Sequence, residues 1–313
     1  GQRLSFDWYF GRFYRSISLS FTEPWLFNTR TLGGFSLFNT RSGGGFYPWD
    51  RQVKGASVQV GRRFRWPDSY FRGDWIFRVA ETKIFNVRDP ELLENYLFYD
   101  RPTQQVSITQ IIQRDSRNRP EFPTNGSVYS LLTELSGGPL SGDEDYLKNV
   151  LTVQWYVPTF MGLVFYTQAK MGIINGLHKD YYINPGGLFY MGGSGLSFSE
   201  GLRGYDDGTV GPLSTTGRPL GGRSMAKFTA ELRVPIAPNP TIYGLVFVEA
   251  GNVWSDFVES NLQDLKRSVG LGVRVFMPMI GIIGVDFGYG FDHLDYFGKR
   301  RGQWKTHFQF GRF

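Results

Sequence analysis

Apolar and polar positions alternate with a period of two along almost the whole chain. Leu4, Phe6, Trp8 and Phe10 alternate with Arg3, Ser5, Asp7 and Tyr9. Ile17, Leu19 and Phe21 alternate with Ser16, Ser18 and Ser20. Such alternation sends successive side chains to opposite faces of an extended backbone, so it marks strands with one apolar face. The same pattern predicts strands over 31–42, 51–64, 74–86, 105–114, 127–136, 147–157 and 160–176. Further strands are predicted over 224–235, 241–251, 268–277, 281–290 and 303–313. These make about 14 strands, and no segment carries an apolar stripe at helical spacing.

The links between strands alternate in length. Tight turns fall at Glu23-Pro24-Trp25, Pro158-Thr159, Ala237-Pro238-Asn239-Pro240 and Met277-Pro278-Met279. Longer links lie at 43–50, 87–104, 177–223, 252–267 and 291–302. Short turns on one side and long loops on the other characterise a membrane β-barrel, whereas a soluble sandwich gives no reason for long links on alternate connections. The predicted fold is therefore all-β: an antiparallel, up-and-down transmembrane β-barrel occupying residues 1–313. Parity puts 177–223 on the long-loop, extracellular side and the C-terminus in the periplasm. A structureless link of roughly 45 residues is unusual and commonly functional.

Composition sharpens this picture. Aromatic residues make up 17% of the 313 residues, with 28 Phe and 17 Tyr, and there are 40 Gly. That suits aromatic girdles and tight turns. No apolar run reaches about 18 residues, so no helical span is expected, but a barrel strand crosses in about 9–11 residues and needs no such run. The mean hydropathy of −0.27 is thus compatible with a membrane location. The absence of cysteine excludes disulfides and thiolate metal sites. Gly1-Gln2-Arg3-Leu4 is not a signal peptide, so an export signal is expected upstream. The net charge is +6, but Lys and Arg are scattered along the chain, which argues against a nucleic-acid partner.

Within the long loop, Gly192-Gly193-Ser194-Gly195-Leu196 precedes Leu202-Arg203-Gly204-Tyr205 and then Thr209-Val210-Gly211-Pro212. This resembles the sixth-loop motif of the BamA family of outer-membrane assembly insertases, whose hallmark is Val-Arg-Gly-Phe/Tyr; Leu202 departs mildly from it. Further likenesses follow the family's order. They are Thr22-Glu23-Pro24-Trp25-Leu26, Phe122-Pro123-Thr124-Asn125-Gly126-Ser127, Glu249-Ala250-Gly251-Asn252-Val253-Trp254 and an aromatic last strand ending at Phe313. The last strand departs from the family in having one residue, not two, between Gly311 and the final aromatic. The resemblance implies about 16 strands in all. It matches the first segments here to the family's third and fourth strands, so a first hairpin and the polypeptide-transport-associated (POTRA) domains are expected to be absent from this sequence.

What the resemblance implies is insertion and folding of other outer-membrane β-barrels through a lateral seam between first and last strands. Expected partners are the outer-membrane bilayer, unfolded client proteins, accessory assembly lipoproteins and periplasmic chaperones. A polypeptide secretion pore of the same superfamily and a passive porin-like channel are the alternatives. Arg203 is the leading site residue, because a guanidinium makes planar paired bonds with carboxylates. Parity turns Phe228, Ala230, Leu232 and Val234 to lipid and Thr229, Glu231 and Arg233 inward; Val246, Val248 and Ala250 face lipid, so Glu249 points inward. The family's loop arginine pairs with acids at these two positions, so Arg203 is expected to meet Glu231 or Glu249, the competing reading being an exposed arginine. Phe308, Phe310, Gly311 and Phe313 correspond to the last-strand signal and one side of the seam.

No catalytic, metal or cofactor site is expected. His178, His293 and His307 lie far apart and outside any ligand-spacing motif, and no serine has a paired histidine. The run Asp143-Glu144-Asp145 reads as solvated loop surface.

Overall fold

The computed structural model describes residues 1–12, 14–43, 49–88, 101–120, 122–179, 181–195, 199–238, 241–277, 281–293 and 299–311. The strands are β1 (Arg3–Phe10), β2 (Tyr14–Glu23), β3 (Thr31–Ser42), β4 (Asp50–Arg63), β5 (Phe71–Phe85), β6 (Thr103–Asp115) and β7 (Gly126–Ser136). They continue as β8 (Tyr146–Pro158), β9 (Val164–Gly176), β10 (Ser224–Pro238), β11 (Thr241–Trp254), β12 (Lys266–Met277), β13 (Gly281–Gly290) and β14 (Gln303–Gly311). All 14 form one sheet in sequence order, each pair antiparallel. Among the described residues, β1 and β14 each pair on one side only. No helix among them is long and apolar enough to cross a membrane.

Period-two patterning sorts the side chains. On β4, Val58 and Val60 are exposed outward, with Phe77 and Val79 opposite or diagonal to them on β5. On the other face, hydroxyl pairs link adjacent strands: Ser16 with Thr40 at 2.9 Å and Ser36 with Ser57 at 2.9 Å. An apolar outside and a polar inside is the arrangement lipid demands. Several predicted boundaries move by a few residues: β5 begins at Phe71 rather than 74, β10 runs on to Pro238 and β11 to Trp254, and the largest shift is at β9. The segment expected from residue 160 starts as a strand only at Val164, because Phe160–Gly162 forms a short turn in which Met161 has φ 56°.

Links after even-numbered strands are short: 24–30, 64–70, 116–125, 159–163, 239–240 and 278–280. Those after odd-numbered strands include 177–223. That loop lies against the inner face from β4 to β14. A Cβ on Gly186 would meet the Arg51 guanidinium of β4. Lys148 of β8 donates to the Gly187 carbonyl at 2.8 Å, and the Gly204 amide donates to His307 Nε2 of β14 at 2.8 Å. One loop touches strands this far apart in the sheet only because the sheet is curled.

Two inner layers surround the loop. Leu202, Met191, Tyr205 and Val210 of the loop pack with Tyr146, Ile174, Met225 and Val253 of the wall. Nearer the short turns, Phe122, Tyr156, Tyr166, Tyr243 and Phe247 form an aromatic cluster, with Phe122 and Tyr243 ring centroids 4.6 Å apart. Phe122 comes from the Phe-Pro-Thr-Asn-Gly turn. The turn ends at Gly126, whose φ of 111° and 2.4 Å approach of its would-be Cβ to the Ser116 carbonyl leave no room for a side chain.

Candidate functional site

The loop reaches the wall with residues 190–193 bonded to residues 200–205 of the same loop. Gly192 donates its amide to the Glu200 carbonyl at 2.8 Å, and Gly193 donates to the Tyr205 carbonyl at 3.0 Å. Gly192 holds φ 128°, and a Cβ there would come within 2.1 Å of the Asp206 carbonyl. Leu202 is fully buried and anchors the segment, and Arg203 is 5% exposed. Leu196 lies outside the described residues.

The wall presents three acids to Arg203. The register pairs Thr229 with Glu249 and Glu231 with Phe247, which brings both glutamates to the inner face two residues apart along adjacent strands. Arg203 Nη2 donates to Glu231 Oε1 at 2.7 Å and to Glu249 Oε1 at 2.8 Å. The Arg203 backbone amide donates to Glu249 Oε2 at 2.8 Å. Arg203 thus joins both glutamates, where the sequence left the choice open. The guanidinium carbon stands 3.6 Å from the centroid of the Phe247 ring, which adds a cation–π contact. Asp286 of β13 lies 3.7 Å from Arg203 Nη1.

Each acid has a second cation. Arg233 pairs with Glu231 at 2.8 Å, Lys227 stands 3.7 Å from Glu249, and Arg274 takes both oxygens of Asp286 at 2.7 and 2.6 Å. Thr229 donates to Glu249 at 3.2 Å. A buried charge stripped of its partner is far costlier than the pair is stabilising, so alternating charge makes this network all-or-none.

The next two motif residues seat the loop on β12–β14. Gly204 has φ 94°, and its would-be Cβ falls 2.8 Å from the Gly290 amide nitrogen. A Cβ on Gly288 would stand 2.7 Å from the Gly204 nitrogen. These glycines clear a track on β13 for the loop backbone. Tyr205 stacks on His293 at 4.6 Å and donates to the Arg267 carbonyl at 2.8 Å. Lys305 of β14 pairs with Asp206 at 2.8 Å.

The last-strand residues are separate from this network. Phe308 and Phe310 face outward, 57% and 55% exposed, and Gly311 pairs with Ile282. Phe313 lies outside the described residues. Sequence reasoning missed Asp286, His307 and the β13 glycines. Their signal was present: Gly284, Asp286, Gly288 and Gly290 occupy alternate positions, one acid in a row without side chains.

One reading is corrected. Asp143-Glu144-Asp145 is not solvated surface. Glu144 is 2% exposed, Asp143 accepts the Gln104 amide at 2.7 Å, and Asp145 pairs with His178. Burial pushes the Glu144 carboxyl up to about 7; Arg51 pulls it down and Glu134 pushes it further up. Tyr146 donates to Glu134 at 3.1 Å beside it. Among the described residues no group of His, Asp and Glu is arranged to hold a metal ion.

A curled antiparallel sheet with an apolar outer face and an inward-folded loop defines a membrane β-barrel. The sequence profile of the Omp85 superfamily domain matches residues 1–312, and the chain belongs to that superfamily. It is 27% identical over 236 residues to the outer membrane protein assembly factor BamA of Nitratidesulfovibrio vulgaris, covering 73% of this chain and 28% of the relative. It is 30% identical over 122 residues to the SAM50-like protein CG7639 of Drosophila melanogaster, covering 39% of this chain and 26% of that one. The chain therefore spans under a third of the length of these curated relatives. Among solved structures, BamA from Haemophilus ducreyi lacking POTRA domains 1–3 superposes with TM-score 0.79 at 20% identity, covering 99% of this chain and 65% of that one. CdiB from Acinetobacter baumannii superposes with TM-score 0.57 at 14% identity, covering 94% and 49%. The fold and membership agree with an outer-membrane β-barrel.

Proposed function

We propose that this domain is the barrel of an outer-membrane insertase, which folds client β-barrels at the edge of its own sheet. The observation that carries the reading is the Arg203 brace. It ties the loop to β10, β11 and β13, while Gly204 and Asp206 of the same motif hold the inner face of β14. In this reading a rigidly backed β14 offers N–H and C=O groups to an incoming strand when its seam opens, the physical basis of β-augmentation. Phe308 and Phe310 line the lipid side of that edge. The chemistry is hydrogen-bond exchange, with no covalent step.

In this reading the 177–223 loop enters from the extracellular side and the short turns and C-terminus face the periplasm. POTRA domains, accessory lipoproteins and chaperones would deliver clients there. A passive channel is disfavoured because the 177–223 loop and the aromatic cluster occupy the inner face where a conduction path would run.

The test uses the full-length parent in liposomes with an unfolded client barrel, followed by heat-modifiable gel mobility. Acceleration of client folding that Arg203→Ala weakens by about tenfold or more is expected. A steady ion conductance without acceleration would overturn the reading in favour of a channel.

A further inference from the structure

The arginines that look scattered in sequence are gathered in space on one arc of the short-turn rim. Arg30 ends the β2–β3 turn, Arg62 and Arg63 end β4, and Arg65 lies in the β4–β5 turn. All four line one open cavity of about 1200 Å³ together with Trp25 and Trp66. Three arginines near them are neutralised: Arg72 pairs with Asp74 at 2.7 Å, Arg114 with Asp68 at 2.8 Å and Arg117 with Asp115 at 2.7 Å. Arg30, Arg62, Arg63 and Arg65 form no salt bridge among the described residues; Arg63 exerts only a longer-range pull on Asp115.

The rest of the rim is different. The stretches 157–164, 235–242 and 276–283, which contain three of the four other short turns, hold no charged residue at all, and the fourth, 116–125 next to the arc, holds Arg117, Arg119 and Glu121. The positive arc is therefore a local feature rather than a general property of the barrel end.

We propose that this arc is a binding site for the phosphate headgroups of anionic phospholipids in the leaflet on the short-turn side, gripped by Arg30, Arg62, Arg63 and Arg65. Three observations favour lipid. Arg62 lies two residues beyond the outward-facing Val60, roughly 7 Å along the strand, which places it where the apolar belt ends, while Arg63 at the last strand position lies on the inner side of the same rim. Trp25 and Trp66 are 54% and 84% exposed beside the arginines, and amphipathic indoles concentrate at headgroup level. Guanidinium groups match phosphate oxygens with paired donors. The site would fix lipid on the β2–β5 arc and leave the uncharged arc free of it. The proposal rests on the membrane-spanning reading of the sheet and not on its client chemistry.

The full-length parent is placed in nanodiscs containing equal parts phosphatidylcholine and phosphatidylglycerol. It is then released into mild detergent, and the retained lipid is identified by native mass spectrometry. Phosphatidylglycerol should be retained over phosphatidylcholine, and R30Q/R62Q/R63Q/R65Q should reduce that preference by about fivefold or more. If the quadruple variant loses heat-modifiable mobility, the single exposed-site variants Arg62→Gln and Arg65→Gln carry the test, each with a smaller loss. Equal retention of both lipids, or a preference the variants leave unchanged, overturns the proposal. So does arginine-dependent binding of a polyglutamate peptide in phosphatidylcholine discs without phosphatidylglycerol preference, which would assign the arc to an acidic protein. Loss of client folding with lipid preference intact would sink the insertase reading and leave this one standing.

Discussion

Two buried ionic clusters sit on the inner wall, and they are built differently. Around Arg203, every carboxylate has at least two donors or cations within 3.7 Å. Around Glu144, among the described residues, no side-chain ion pair closes on Arg51, and Arg51 Nε has no hydrogen-bond partner. The first cluster is a clamp whose members must all be charged together. The second holds a carboxyl that burial keeps partly protonated near neutral pH, so it responds to conditions that leave the clamp untouched. A buried charge specifies structure when its partners are complete, and becomes a titrating weak point when they are not.

The comparison is broken most severely by Arg203→Ala. It leaves Glu231, Glu249 and Asp286 with unequal compensation and removes the loop's side-chain ion pairs to three strands. The loss should be about 3–5 kcal/mol, read as a lower urea midpoint for the loss of heat-modifiable mobility in detergent. An unchanged midpoint would show that the loop is held by its apolar contacts alone.

Gly204→Ala tests the clamp's seating without touching a charge. The residue holds φ 94°, and the new Cβ would press on the Gly290 backbone. A loss of about 3 kcal/mol is expected from left-handed strain and contact with rigid backbone. Its signature is a weaker response to a second Arg203→Ala change, because either one unseats the loop.

The Glu144 cluster should show itself in a pH series. The folded carboxyl holds its proton up to about 7, against an ordinary value of 4.5. Between these values the folded state binds more protons than the unfolded state. Stability therefore falls as pH rises from about 4.5 to about 7, and the penalty is complete above 7. Glu144→Gln should flatten that slope, whose full height is on the order of 3 kcal/mol, in urea unfolding at pH 5, 6 and 8. A slope that survives the substitution would assign it to another group.

The smallest effect belongs to Lys305→Ala. Its pair with Asp206 is solvent-exposed on the aspartate side, and such pairs contribute about 0–1 kcal/mol. A shift well beyond that would mean the last strand depends on this contact far more than its exposure suggests.

The sequence alone determined the strands, their alternating faces and the inward direction of Glu231 and Glu249. Period-two patterning is local and the bilayer enforces it at every residue, so one face had to be apolar from β3 to β14. The Arg-Gly-Tyr motif was legible too, through its resemblance to the family's loop motif and through clustered glycines, which mark a backbone that must approach something closely. Only the tertiary structure decided that Arg203 takes both glutamates and stands near Asp286, since that depends on how β10, β11 and β13 are staggered around the curl. The same curl buried Glu144 of the acidic run and drew Arg30, Arg62, Arg63 and Arg65 onto one cavity. Burial and charge clustering are properties of the closed surface. A linear pattern cannot show which distant segments that surface brings together.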